Sequence, residues 1–114
     1  DTLATLLRLH GFTVHVTYDG ASARRMAEEL RPDAAVLDLG LADMSGEDLA
    51  RWLRAQPWGS GLLLVAVTGW GQDHDRRRTA SAGFDHHLVK PVDPDELVAL
   101  LVAHVGSPQA AARC

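Results

Sequence analysis

Three polar residues of this 114-residue chain stand at the ends of short apolar runs. Asp38 lies in Ala34–Leu39 (AAVLDL), Thr68 follows Leu62–Val67 (LLLVAV), and Lys90 follows Asp85–Val89 (DHHLV). A carboxylate can act as a nucleophile, a hydroxyl as a hydrogen-bond donor and an ammonium as a fixed cation. Together they suit an anion such as a phosphoryl group. Singly, two of them are weak signals, since a lone threonine usually caps a loop and a lone lysine is usually a solvated charge. Asp38 carries more weight, because an ionisable group in an otherwise apolar strand is costly unless paired or functional. At three equivalent positions the set becomes a strong signal.

Those positions are set by the elements around them. Ala34–Leu39 and Leu62–Val67 are nearly continuous apolar runs, the look of strands buried on both faces of a parallel sheet. Phe12–Tyr18 alternates apolar and polar residues, and Asp85–Val89 is a further short strand. Helical spacing is expected over Thr2–His10, Ala21–Leu30, Glu47–Ala55, Asp73–Ala82 and Pro94–Val105. Gly11 and Gly83 serve as stops and Asp93 as an N-cap. The alternation implies an α/β fold, a doubly wound and mostly parallel sheet with helices on both faces. In such sheets sites lie beyond the carboxyl ends of the strands, where Asp38, Thr68 and Lys90 fall. One domain is expected over 1–105, with 106–114 a flexible tail of small residues. The alternation opens on a helix that no strand precedes.

Composition narrows the function classes. Hydrophobic residues at 46% and charged residues at 23% are ordinary for a globular domain and exclude disorder. Fifteen acids against eleven lysines and arginines give a net charge of −4, which argues against direct nucleic-acid binding. The lone cysteine, Cys114, excludes an internal disulfide and a thiolate zinc site. No apolar run is long enough to insert into a membrane. Thr68-Gly69-Trp70-Gly71 lacks the glycine patterns of nucleotide-binding loops. His86 and His87 are adjacent in a strand and point to opposite faces, a poor arrangement for one metal ion. Arg76-Arg77-Arg78 reads as a solvated helix face, and Trp52 and Trp58 as packing residues.

Three stretches carry a family resemblance: Val36-Leu37-Asp38-Leu39 with Met44-Ser45-Gly46, then Ala66-Val67-Thr68-Gly69, then Val89-Lys90-Pro91-Val92. The chain resembles the receiver domain of two-component response regulators from Asp1 to about Val105. The Trp70-Gly71 and His86-His87 variations look like receivers attached to hybrid histidine kinases. The resemblance implies a flavodoxin-like receiver fold and a phosphorylation switch rather than a metabolic enzyme. Asp38 would accept a phosphoryl group from a histidine kinase or phosphotransfer protein, and Thr68 and Lys90 would hold its charge. His87 stands where the family places its switch side chain, and a histidine there would bring pH sensitivity near neutrality. Gly40, Gly69 and Trp70 would line the pocket, and a cis peptide would precede Pro91. Mg²⁺ would be held by Asp38 and the Gly40 backbone carbonyl. Partners would dock on the face around residues 73–105, in the cytoplasm.

The chain departs from the family in three places. Receivers open with a strand ending in two acids that help hold Mg²⁺, and this sequence has neither; Asp1 falls in the first helix. The missing strand is central in the sheet, so its neighbours would lose partners, and an N-terminally truncated record is expected rather than a strand-deficient fold. Ala42 replaces a usual proline and His87 a usual aromatic residue. Two rival readings remain open. One is a pseudo-receiver, a docking module without phosphoryl transfer. The other is a small phosphatase with an aspartate nucleophile, which would need a second acid. A flavin-binding fold is weaker still, because no phosphate-cradling loop follows the visible strands.

Overall fold

The computed structural model describes residues 2–39, 43–69, 76–105 and 110–113. Helices α1 (Thr2–Leu9), α2 (Gly20–Leu30), α3 (Gly46–Ala55), α4 (Arg76–Ala82) and α5 (Pro94–Val105) alternate with strands β1 (Thr13–Val16), β2 (Ala34–Asp38), β3 (Leu63–Thr68), β4 (His86–Val89) and β5 (Ala110–Arg113). Local chemistry sets the helix starts. The Asp19 carboxylate accepts from the Ser22 N–H at 2.7 Å, and the Ser45 hydroxyl from the Asp48 N–H at 3.1 Å. The Asp93 carboxylate accepts from Asp95 N–H at 2.9 Å, and its carbonyl from Leu97 N–H, so Asp93 opens α5 as expected. Gly11 and Gly83 end their helices at φ of 94° and 108°, a region other residues rarely enter. Residues 73–75, expected to begin the fourth helix, lie outside the described residues.

All strand pairs are parallel, and the sheet order is β1-β5-β2-β3-β4. Side chains alternate across β2 and β3, so each strand feeds both faces. Ala35, Leu37, Leu64 and Ala66 pack with Ala27 of α2, and with Leu49, Ala50 and Leu53 of α3. Ala34, Val36, Leu63, Val65 and Val67 pack with Ala4 and Leu7 of α1, and Leu97 and Leu101 of α5. This gives the doubly wound arrangement that the apolar runs imply. Among the described residues no helix is long and apolar enough to cross a membrane.

The chain's C-terminal part differs from expectation. Rather than a flexible tail over 106–114, Ala110–Arg113 forms β5, hydrogen-bonded between β1 and β2. Thr13–Val16 pair with Ala110–Arg113 on one side, and Ala34–Val36 with Ala111–Arg113 on the other. The physical reason is backbone satisfaction. Two facing strands in a sheet interior present N–H and C=O groups that must be paired. An alanine run has little strand propensity, so this tertiary demand overrides the local preference. Residues 106–109 and Cys114 lie outside the described residues.

At the amino ends of β3 and β4, Arg54 pins the register. Its guanidinium donates to the carbonyls of Gly83 and Gly59 at 2.9 Å each and to the Leu62 carbonyl. It also pairs with Asp85 at 2.7 Å, and the same Asp85 oxygen accepts from the Leu64 N–H at 2.9 Å. The start of β4 is thereby fixed against β3, and their carboxyl ends follow from that register.

Candidate functional site

Strand register brings the three singled-out residues to one rim. Asp38 is opposite Val67, and Thr68 is opposite Val89. Lys90 therefore begins just beyond β4, where its N–H donates to the Thr68 carbonyl at 2.7 Å. The Lys90 ammonium reaches across the end of β3 and donates to Asp38 Oδ2 at 2.6 Å. The pair is only partly shielded: the side chains are 42% and 31% exposed for Lys90 and Asp38. It is thus open to an incoming anion from one side. The Lys90–Pro91 peptide bond is cis. Gly69 follows Thr68 and is half-buried. Gly40 and Trp70, also expected around this pocket, lie outside the described residues.

Thr68 belongs to a second set of contacts. Its hydroxyl lies 3.2 Å from His87 Nε2, and His87 Nδ1 lies 3.2 Å from the Thr79 hydroxyl on α4. Both threonines are buried, and the ring between them is half-buried. Strand alternation puts the neighbouring His86 side chain on the other face, where it is exposed. Sequence reading did not find Thr79. Its role depends on how α4 packs against β4, and no local pattern announces such a contact.

Asp43 was also missed. Its carboxylate accepts from the N–H groups of Gly20 at 2.8 Å and Ala21 at 3.2 Å. This ties the segment after Asp38 to the first turn of α2, where unpaired N–H groups and the helix dipole favour an anion. The Gly20 hydrogen bond is the main cause holding the Asp43 carboxyl below its usual range. An acid shortly after a buried-strand aspartate was the only available signal, and it does not specify a partner.

The described residues do not fit a divalent cation. They hold no group of three or more His, Cys, Asp or Glu side chains placed for a metal. Asp38, at the end of β2, is already bonded to Lys90. Hard cations such as Mg²⁺ need several oxygen donors in near-octahedral geometry.

A cavity of about 330 Å³ is lined by Thr79, Phe84, His86, His87, Glu96 and Leu100. It lies among α4, β4 and α5, so His87 borders both this cavity and the Thr68 contact. Arg78, within the basic run, is 70% exposed and approaches Glu47 at 3.5 Å. Trp52 and Trp58 pack edge to face, 6.4 Å between ring centres, beside the core.

Comparison with known proteins fits this geometry. Residues 1–102 match the family described as the response regulator receiver domain. The DNA-binding response regulator MtrA of Mycolicibacterium paratuberculosis is 38% identical over 105 residues, covering 92% of this chain and 45% of that protein. The chain thus spans less than half the length of such curated relatives. Among solved structures, the receiver domain of the sensor histidine kinase PA1611 from Pseudomonas aeruginosa has a magnesium ion coordinated in its active-site cleft. It is 33% identical with a TM-score of 0.82, and the match covers 93% of this chain and 87% of that one. A response regulator receiver domain from Methylobacillus flagellatus is 32% identical with a TM-score of 0.79, covering 90% and 86%.

Proposed function

The chain belongs to the response regulator receiver family, and from that premise we propose that Asp38 is its phosphoryl acceptor. The observation that carries this reading is the Lys90–Asp38 contact of 2.6 Å at the rim, with Thr68 at the end of the adjoining strand. An Asp38 oxygen attacks the phosphorus of a phosphohistidine in line with the leaving nitrogen. The O–P bond forms as the P–N bond breaks, and that electron pair stays on the departing imidazole, which is protonated by solvent. Lys90, already in place, offsets charge on the transferred group, and the Thr68 hydroxyl donates to one of its oxygens. The described donors do not complete a site for Mg²⁺.

The product is a single aspartyl phosphate, so the domain acts as a switch rather than a turnover enzyme. A kinase or phosphotransfer protein, working in the cytoplasm, supplies the group. The response passes from Thr68 through His87 to the face of α4, β4 and α5, where the cavity beside His87 gives a partner relief to read. The shift is one of population between two states, driven by contacts made only to the phosphoryl group. MtrA is a DNA-binding protein by its name, but this chain spans 45% of its length and carries a net charge of −4, so protein partners are proposed for this part.

A second reading is favoured by one observation. The described residues hold no group of three or more His, Cys, Asp or Glu side chains placed for a metal, which also suits a pseudo-receiver that docks partners without chemistry. Incubation with a phosphohistidine-loaded phosphotransfer protein separates the readings. Transfer of one phosphoryl group per chain, abolished in Asp38→Asn, supports the acceptor role. No transfer favours the pseudo-receiver, and repeated turnover of a free phosphoester favours a phosphatase.

A further inference from the structure

We propose that Ser81 is a phosphorylation site for an arginine-directed serine kinase, and that its phosphate draws Arg78 away from Glu47. The inference goes beyond the reading of Asp38 and does not depend on it.

Arg76-Arg77-Arg78 runs directly into Thr79-Ala80-Ser81. A kinase with an acidic substrate cleft recognises arginines at fixed distances before the hydroxyl it modifies, through charge-assisted hydrogen bonds. By spacing alone, two hydroxyls qualify. Thr79 has arginines one, two and three residues before it, and Ser81 has them three, four and five residues before it. The fold separates the two. Thr79 is 2% exposed, whereas Ser81 is exposed on α4. Arg77, Arg78 and Ala80 are exposed as well, so of residues 77–82 only Thr79 and Ala82 are buried. The helix spans seven residues. A helix this short is not stable alone and is held by its packing. Two buried side chains are a light anchor, so α4 opens locally at low cost and presents Ser81 in extended form.

In the transfer, the Ser81 oxygen attacks the γ-phosphorus of ATP. The O–P bond forms as the bond to the bridging oxygen of ADP breaks. ADP leaves with that electron pair, and the serine proton passes to a base of the kinase.

The product acts on the contact between α3 and α4. Residues three and four apart are neighbours on a helix, so a phosphate on Ser81 stands beside Arg78 and Arg77. Arg78 lies against Glu47 of α3 at 3.5 Å, and its side chain is 70% exposed. That contact is long and solvated, and such pairs are weak. A phosphoserine brings nearly two negative charges and three acceptor oxygens, so it wins the guanidinium. The Glu47 side chain is only 8% exposed. Once Arg78 leaves, this carboxylate stays shielded from water without that partner, which is unfavourable and loosens α4 from α3.

The test uses the full chain with ATP and the catalytic domain of an arginine-directed kinase (one that selects Arg three and five residues before serine). Peptide mass spectrometry locates the phosphate, and hydrogen exchange follows α4. The expected result is one hydroxylamine-resistant phosphate on Ser81, absent from Ser81→Ala and formed about tenfold more slowly in Arg78→Ala. Exchange in α4 should rise about two- to fivefold on phosphorylation, the worth of one exposed ion pair. Glu47→Gln should remove that rise, and Arg78→Gln should show it without any phosphate. No phosphate on the folded chain, a phosphate on Thr79 instead, or a modified Ser81 with unchanged exchange in α4 overturns the inference. An acyl phosphate on Asp38 is cleaved by hydroxylamine and the Ser81 ester is not, so the two readings fail separately.

Discussion

Replacing Lys90 by Met removes the ammonium from the 2.6 Å contact while keeping most of the aliphatic stem. Two effects differ in size. At 2.6 Å, with side chains 42% and 31% exposed, solvent screens the pair, so its contribution to stability is that of a surface ion pair, about 0.5–1 kcal/mol. During phosphoryl transfer the same ammonium faces a more highly charged group, and a charge-assisted hydrogen bond is worth about 1.5–3 kcal/mol. If that bond is formed fully only in transfer, its loss slows phosphorylation by about 10- to 100-fold. Urea denaturation measures the first effect, and the second is the initial rate of acyl-phosphate formation from phosphoramidate. A double-mutant cycle with Asp38→Asn assigns the stability part to the pair. A phosphorylation rate within about threefold of the parent's, in a folded variant, would refute the assignment of Lys90 to the transferred group.

Other regions give independent tests. Arg54→Ala removes one donor from each of three carbonyls and from Asp85 and should cost about 2–4 kcal/mol in urea denaturation. Asp43 has its pKa lowered in the fold, so its stabilising effect is full above the unfolded carboxylate pKa and fades as pH falls through the folded value. Asp43→Asn should accordingly be less stable than the parent at neutral pH, with the gap closing in acid, as followed by thermal melts across pH. Ala112 sits between His15 and Ala35 in the sheet, and Ala112→Pro should lower the melting temperature markedly by removing a ladder donor; an unchanged melt would remove β5 from the sheet.

Most of the scaffold was legible because burial writes itself into the chain. The runs AAVLD and LLVAVT have too few polar residues to face water on either side, and they are the interior strands β2 and β3. The ends of those runs place Asp38, Thr68 and Lys90 on one rim. What stayed hidden depends on contacts distant in sequence. Asp43 caps a helix 22 to 23 residues earlier, and His87 bonds to a threonine on a different element. The role of Ala110–Arg113 was hidden for a different reason. Alanines carry no strand signature, and their place follows from two neighbours that need a partner.

The most direct measurement of the central claim is to load the chain with phosphoramidate and locate the phosphoryl group by peptide mass spectrometry. The expected result is one alkali-labile, hydroxylamine-sensitive phosphoryl group on the peptide containing Asp38, absent from Asp38→Asn. A phosphoryl group on another residue, or an unmodified chain under conditions where a known receiver is labelled, would contradict the assignment of Asp38 as acceptor.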